Sequence, residues 1–384
     1  MPETAGASGE LTDEQEEFRR VVAAFADEVI GPEAAAFNAE GRFPVEIVRR
    51  MGELGLFGLP FREEDGGVGG DYLTFCLAIE EIGRVDQSLG ITLEAAVGLG
   101  AAPIAEFGTA EQRRRYLPRL CRGEALAGFG LTEAGGGSDV LGATRTRAVR
   151  DGDEWVIDGA KEFITNAGTE LTELVIITAL TGARELTAII VPTDTPGLHV
   201  APPYRKVGWH ASDTRELHLD TVRVPVANTL GEVGAGLSQF LRTLADGRIA
   251  ISALAVGLIQ GCVEECVRYA SEREAFGRPI ASNQAVAFKI ADLEVAAQTA
   301  RQMYRYACRR KEAGLPYRRE ASIAKLYSSE AAVTAAREAT QIFGGTGFTT
   351  DTRVGRFYQD AKILEIGEGT SEVQRLLISR EMGL

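Results

Sequence analysis

Near the C-terminus, Ile366-Gly367-Glu368-Gly369-Thr370-Ser371-Glu372-Val373-Gln374-Arg375 holds one carboxylate between two glycines. Glycine on either side removes bulk and frees the backbone, so a substrate carbon can be pressed against the carboxylate, as general-base abstraction of a proton requires. Ser371 and Gln374 fit a capping box, and Leu376, Leu377 and Ile378 follow, which puts Glu368 in the loop entering a helix. The same place suits a structural glutamate whose charge meets the positive end of the helix dipole. Spacing alone leaves both readings standing.

Three other loops carry polar or glycine-rich chemistry. Phe129-Gly130-Leu131-Thr132-Glu133-Ala134-Gly135-Gly136-Gly137-Ser138-Asp139 exposes amide donors and two hydroxyls, and a phosphate or a ring system can approach such a loop closely. It is neither GxGxxG nor a P-loop, so the usual nicotinamide and nucleoside triphosphate sites are not indicated. Lys161-Glu162-Phe163-Ile164-Thr165-Asn166-Ala167 ends an expected strand with an aromatic and two hydrogen-bonding groups, and Gln341 to Phe348 breaks a long helix with glycines. A turn, a strand end and a helix stop account equally well for each taken singly.

The elements that must position these loops fall into three runs, and the pattern predicts an α+β fold. From a capping box at Thr12 and Gln15, apolar residues recur at helical spacing (Phe18, Val21, Val22, Phe25, then Val45, Val48, Met51, Leu54), giving a helical unit over 1–125. A second box at Thr109 and Gln112 opens a helix that Pro118 is expected to kink or end. Over 126–233, short alternating runs punctuated by Asp-Gly, Pro and Pro-Gly turns predict an antiparallel sandwich or barrel, because no helical pattern separates the strands. Over 234–384 the helical period returns. Val286, Ile290, Leu293, Ala297, Ala300 and Tyr304 make a seam which, with Ile249–Val263, Ile323–Phe343 and the terminal helix, supplies the parts of a four-helix bundle.

Composition excludes several classes. The 384 residues are 45% hydrophobic and 25% charged, near globular averages, and a net charge of -14 opposes a grip on nucleic acid that Arg113-Arg114-Arg115 is too short to reverse. The five scattered cysteines suit free thiols in a reducing compartment; Cys262 and Cys266 read as core, with no metal site expected. MPETAGASGE has neither a basic nor an apolar signal region, which leaves a cytoplasmic location as the expectation. Ile249–Val263 falls short of a membrane span and reads as a buried helix.

In their order and separations, these segments resemble the acyl-CoA dehydrogenase family, flavoenzymes that desaturate acyl thioesters between the α and β carbons. The resemblance rests on Leu131-Thr132-Glu133 with Gly137-Ser138-Asp139, Phe163-Ile164-Thr165-Asn166, Gly247-Arg248-Ile249, Glu272-Arg273 with Phe276-Gly277, Gln284, Gln341-Ile342-Phe343-Gly344-Gly345, and Glu368-Gly369-Thr370. It implies FAD bordered by Phe129, Leu131, Thr132, Gly137 and Ser138, with Phe163, Ile164 and Thr165 along the isoalloxazine and Thr165 close to N5. It further implies that Arg273, Phe276 and Gln284, with Gln341, Ile342, Phe343, Gly344 and Gly345, reach the adenosine half of a neighbouring subunit's FAD, while Thr370 and Glu372 face FAD from their own side. A homotetramer, a dimer of dimers, follows from such sharing. Glu368 matches the base that removes the α proton while the β hydride leaves to flavin N5, and its backbone N–H matches a donor to the thioester oxygen. Ser138, Asp246, Gly247, Arg248, Gly367 and Gly369 match the acyl site.

Relatives that keep the base on another helix carry it where this chain has Gly247, and Gly247-Arg248-Ile249 resembles the short-chain and short-branched-chain members. Ala134 stands where Pro is usual and Phe163 where Trp is common. Gly367 replaces a Tyr usual in straight-chain members, which implies a branched, ring-bearing or bulky short acyl group. The resemblance implies an acyl-CoA or carrier-protein-bound substrate and an electron-transfer flavoprotein as acceptor, with no nucleic acid or membrane partner. A non-catalytic helical scaffold that keeps the fold is the alternative of a different class.

Overall fold

The computed structural model describes residues 11–384; the first ten, on which the signal reading rests, lie outside the described residues. Helix α1 (Asp13–Phe25) opens on the expected Thr12–Gln15 box, both of whose hydrogen bonds form. It is followed by α2 (Ala34–Glu40), α3 (Val45–Glu53), α4 (Tyr72–Val85), α5 (Gln87–Glu94), a π-helical turn over Ala95–Ala101, α6 (Ala102–Phe107) and α7 (Ala110–Cys121). The Thr109–Gln112 box caps α7, which passes through Pro118 and ends three residues later: a proline in the last turn costs one hydrogen bond without stopping the helix.

Strands β1 (Leu126–Gly130), β2 (Arg147–Asp151), β3 (Glu154–Thr165), β4 (Thr172–Gly182), β5 (Glu185–Pro192), β6 (Leu198–Val200) and β7 (Thr214–Pro225) form one sheet in the order β1-β4-β2-β3-β7-β6, with β5 also on β4; a short helix, α8 (Val140–Ala143), follows β1. The sheet is mixed rather than wholly antiparallel, since β1 runs parallel to β4, Gly130 opposite Ile177. The β2–β3 hairpin between them in sequence lets the chain return in the same direction. Along β4 and β5, Leu174, Ile176, Ala188 and Ile190 enter the helical core, while Val175, Ile177, Ile189 and Val191 enter a second core with Trp155, Ile157 and Leu217. Both faces being covered explains why these strands read as continuous apolar runs.

The last third contains α9 (Gly236–Glu272), a two-stranded hairpin of β8 (Glu274–Ala275) and β9 (Arg278–Pro279), then α10 (Gln284–Glu312), α11 (Arg318–Phe343), α12 (Arg353–Leu364) and α13 (Ser371–Glu381). Helices α9, α10 and α11 pack on one another; α12 lies against α9 and α11, and the terminal α13 rests on α11, so α12 is an element additional to the expected four. Of the predicted seam, Leu293, Ala297, Ala300 and Tyr304 are buried. The Tyr304 hydroxyl donates to Glu80 of α4, which also accepts from Arg301 Nε at 2.8 Å, so α10 is tied to the first helical unit. A Cβ at Gly257 or Gly261 of α9 would sit 2.4 Å from the carbonyl oxygens of Glu80 and Arg84, so glycine is what lets α4 lie this close. Ile249–Val263 is part of a helix long enough to cross a membrane, contrary to its expected shortness, but 83% of the apolar window is buried in the protein. All five cysteines are buried free thiols.

Candidate active site

Glu368 lies in the turn between α12 and α13. Gly367 N–H donates to Ile363 O (2.8 Å) and Ser371 N–H to Glu365 O (3.0 Å), closing the turn, while Glu368 adopts φ 55° and Gly369 φ 91°. A non-glycine residue there is strained, and strain of this kind gathers at functional sites. The cap of α13 is Thr370, whose hydroxyl accepts from Val373 N–H (3.3 Å); Ser371 is already inside the helix. Gln374, expected to complete a capping box with Ser371, instead sends Nε2 back to the carbonyls of Glu368 (3.2 Å) and Gly369 (2.9 Å). Lys325 of α11, wholly buried, donates from Nζ to Gly369 O at 2.7 Å. Two helices therefore hold the backbone of the turn and leave the carboxylate free.

Among the described residues that carboxylate finds no direct partner. Its Oε2 is occluded from solvent and accepts no hydrogen bond. Burial pushes the Glu368 carboxyl up to about 7, while the charges of Arg248 and Lys325 pull the other way. Burial also lowers both cations, Lys325 to about 8 and Arg248 below the usual arginine range, with Glu368 opposing the fall. Among the described residues Arg248 Nε finds no hydrogen-bond partner; the side chain is buried and acts on Glu368 through its field. A Cβ at Gly247 would lie 2.5 Å from Glu368 Oε2, so the space for a side chain at 247 is the space this carboxylate uses. Gly367 differs: a Cβ there meets only Ile363 O, at an ordinary 3.5 Å, leaving room beside the carboxylate. Desolvation with two flanking cations yields a carboxyl that titrates near neutrality, the condition for a base acting on a weak carbon acid.

The glycine loop after β1 is anchored from beneath. Burial would raise Glu133, but Lys161 Nζ (2.7 Å), Thr146 N–H (3.1 Å) and Arg145 N–H (2.5 Å) hold it below the ordinary carboxylate range. Above this anchor Gly135, Gly137 and Ser138 are exposed, and a Cβ at Gly137 would come 3.2 Å from Thr132 Oγ1, so the loop forms a cradle with Thr132 at its wall. At the end of β3, Phe163 has φ 60° and a 60% exposed ring stacked on Tyr204 (5.0 Å between centroids). A large apolar ring held outward in a strained conformation, beside a cradle of free amides, fits a flavin ring and its pyrophosphate. Thr165 is half-buried, whereas Ile164 points into the second core, so only its backbone is available to a ring there. Phe129 stacks on Phe240 of α9 at 5.8 Å and joins the loop to the helices.

Family models for the acyl-CoA dehydrogenase N-terminal, middle and C-terminal domains match residues 12–124, 128–222 and 234–383. The chain belongs to the acyl-CoA dehydrogenase family. It is 48% identical over 378 residues, covering 97% of this chain and 99% of the other, to a Bacillus subtilis (strain 168) protein named as a probable acyl-CoA dehydrogenase, YngJ. The structure of butyryl-CoA dehydrogenase from Megasphaera elsdenii superposes with a TM-score of 0.94 at 36% identity, covering 98% of this chain and 99% of that one. That of the prolyl acyl carrier protein oxidase AnaB gives 0.93 at 33% identity, covering 98% and 100%. The family depends on FAD, and this member is a flavin-dependent oxidoreductase.

In this acyl-CoA dehydrogenase fold the remaining motif residues stand apart from Glu368. Arg273 ends α9 some 26 residues beyond Gly247, about 39 Å along the axis. Arg273, Gln284, Gln341, Gly344 and Gly345 are exposed, and Phe276 projects fully from the β8–β9 turn with φ 56°. Ile342 and Phe343 are core residues instead, Phe343 stacking on Tyr269 at 4.0 Å. Asp246, matched to the acyl site, spends its carboxylate on Lys311 (2.9 Å) and Tyr317 (2.6 Å), and its carbonyl accepts from Tyr72 (2.8 Å). Glu372 is an exposed first-turn residue of α13. Nothing in the sequence pattern pointed to Lys325 or Glu94. A lone charge within an apolar run, Leu89-Gly90-Ile91-Thr92-Leu93-Glu94-Ala95-Ala96-Val97, was the available signal.

Proposed function

We propose that this protein desaturates a short branched or ring-bearing acyl thioester between its α and β carbons, with Glu368 removing the α proton. The observation that carries the reading is the partnerless buried oxygen of Glu368, titrating near 7, beside the open space at Gly367. The bound FAD supplies the acceptor for the β hydride. Acyl-chain binding removes the remaining water from the base and strengthens its pull on the α proton. The Glu368 N–H, which the hydrogen bonds of the turn leave unused among the described residues, would donate to the thioester oxygen as charge develops on it. Arg248 and Lys325 favour the ionised carboxyl without clamping it.

Thr132, Gly137, Ser138, Phe163 and Thr165 would hold the flavin half of FAD, with Thr370 nearby. The exposed Arg273, Phe276, Gln284 and Gln341 would serve the adenosine half in another copy, and a homotetramer follows. An electron-transfer flavoprotein is the proposed acceptor of the electrons. Anaerobic bleaching of the yellow holoenzyme by butyryl-CoA, isobutyryl-CoA and isovaleryl-CoA tests the reading; faster bleaching by a branched member is expected, and strong preference for butyryl-CoA would sink the branched assignment. A second reading, a carrier-protein-bound acyl group, draws on the similarity to a carrier protein oxidase. Bleaching by the carrier-bound thioester with none by the CoA thioester would select it.

A further inference from the structure

Among the described residues, Glu94 is a buried carboxyl group without a partner. It is 0% exposed, and neither oxygen accepts a hydrogen bond. Other buried acids are supplied with donors: Glu80 by Arg301 and Tyr304, Glu81 by Arg19 and Arg84, Asp360 by Trp209 N–H. Leaving a carboxyl this way costs stability, so a structural role does not account for it. It ends α5, where the chain passes into the π-helical turn Ala95–Ala101, an irregularity often found at functional sites. Gly98 makes room for it, since a Cβ there would lie 3.1 Å from Glu94 Oε1.

Its helix and the turn that follows it pack on α9, the helix that carries Gly247 and Arg248. Two residues earlier, Thr92 O accepts from Asn166 Nδ2 at 3.1 Å, which ties α5 to the strand end that carries Phe163 and Thr165. The field of Glu368 reaches it, and among the described residues no lysine or arginine offsets that field. Resting on the dehydrogenase reading above, we propose that Glu94 determines specificity by receiving a protonated nitrogen on the acyl group, so that amino-substituted acyl thioesters are the substrate class. Burial and the Glu368 charge hold the Glu94 carboxyl well above the ordinary range, which favours its neutral form. An arriving ammonium displaces its proton to solvent and leaves a carboxylate–ammonium pair; no bond in the substrate changes. The reaction proper is unaltered, with the α proton still leaving to Glu368.

The test uses pantetheine thioesters, which carry the arm common to CoA and carrier proteins, in pairs matched in shape: cyclopentanecarbonyl against prolyl, and butanoyl against 3-aminopropanoyl. Binding is measured calorimetrically on flavin-loaded Glu368→Gln protein, in two buffers of different ionisation enthalpy. In at least one pair the nitrogen member should bind about tenfold or more tighter, the scale of one charge-assisted hydrogen bond, with release of about one proton. Adding Glu94→Gln, a same-shape neutral side chain, should abolish both the preference and the proton release while leaving the hydrocarbon members' affinity unchanged. Glu94→Asp, which shortens the reach, serves if the glutamine variant does not fold, and should weaken the preference. Tighter binding of the hydrocarbon member in both pairs, or a preference that survives Glu94→Gln, overturns the inference. Bleaching of the wild-type enzyme by the hydrocarbon thioesters reports separately on the dehydrogenase reading; if no thioester binds or bleaches, that reading falls and this one with it.

Discussion

Two glycine-lined breaks between helices, Gly367–Gly369 and Gly344–Gly345, resemble one another in sequence and do opposite things in space. The first is held inward: Gly369 O takes Lys325 and Gln374, and the carboxylate between the glycines sits among buried charges. The second faces outward, with nothing within 4 Å of a Cβ at either glycine and with Phe348 95% exposed beyond them. A site whose polar groups are supplied by its own chain is complete alone. A turn that shows bare backbone and an uncovered ring is open to contact by another molecule.

The difference predicts a graded set of failures. Glu368→Gln should lower bleaching by about 100-fold or more while acyl-CoA still binds, as expected for loss of a general base; a variant that bleaches at the wild-type rate removes the inner turn from the chemistry. Arg273→Ala, at the outward end, should leave the base intact but release FAD on gel filtration. If subunits share the cofactor, co-expressing Arg273→Ala with Glu368→Gln chains should restore part of the activity that each lacks alone, and no complementation breaks the comparison. Gly367→Tyr should swing the butyryl-to-isovaleryl ratio of kcat/KM toward the straight chain by about tenfold, roughly the effect of filling a methyl-sized space.

The pH profile sharpens the inner turn further. Because Glu368 must be ionised to act and its carboxyl sits near 7, kcat/KM should fall as pH drops through that region. Lys325→Met removes a cation that favours ionisation, so the fall should move to higher pH; an unmoved profile would show that Lys325 only braces the turn. The smallest effect concerns the cap. Thr370→Ala should cost about 1 kcal/mol by denaturant unfolding and Ser371→Ala much less; the reverse order would restore the capping box first read at Ser371.

What the sequence made legible was periodic or local. The α10 seam, the Thr12 and Thr109 boxes and the glycines around Glu368 depend on residues a few positions apart, and each stands where the spacing put it. Adjacent hydroxyls at Thr370 and Ser371 fit the same pattern, and only the backbone decides which one caps. Lys325 and Gly247 meet the Glu368 turn across more than forty residues of chain, Glu94 lies within the field of Glu368, and the parallel β1–β4 pair spans a hairpin. No local periodicity records such meetings. Ile164, Ile342 and Phe343 were matched by motif to a cofactor, yet their side chains fill cores, because a motif marks a backbone path and not every side chain along it.

The positive φ of Glu368 sets stability against turnover. A side chain in that region costs on the order of 1–3 kcal/mol, and the buried, partnerless oxygen adds to it. Glycine at 368 would relieve both, so a variant expected to gain heat resistance at this position would also lose the proposed base. Random libraries ranked by melting temperature alone would enrich for loss of the base, and thermal engineering of this protein has to score bleaching alongside unfolding.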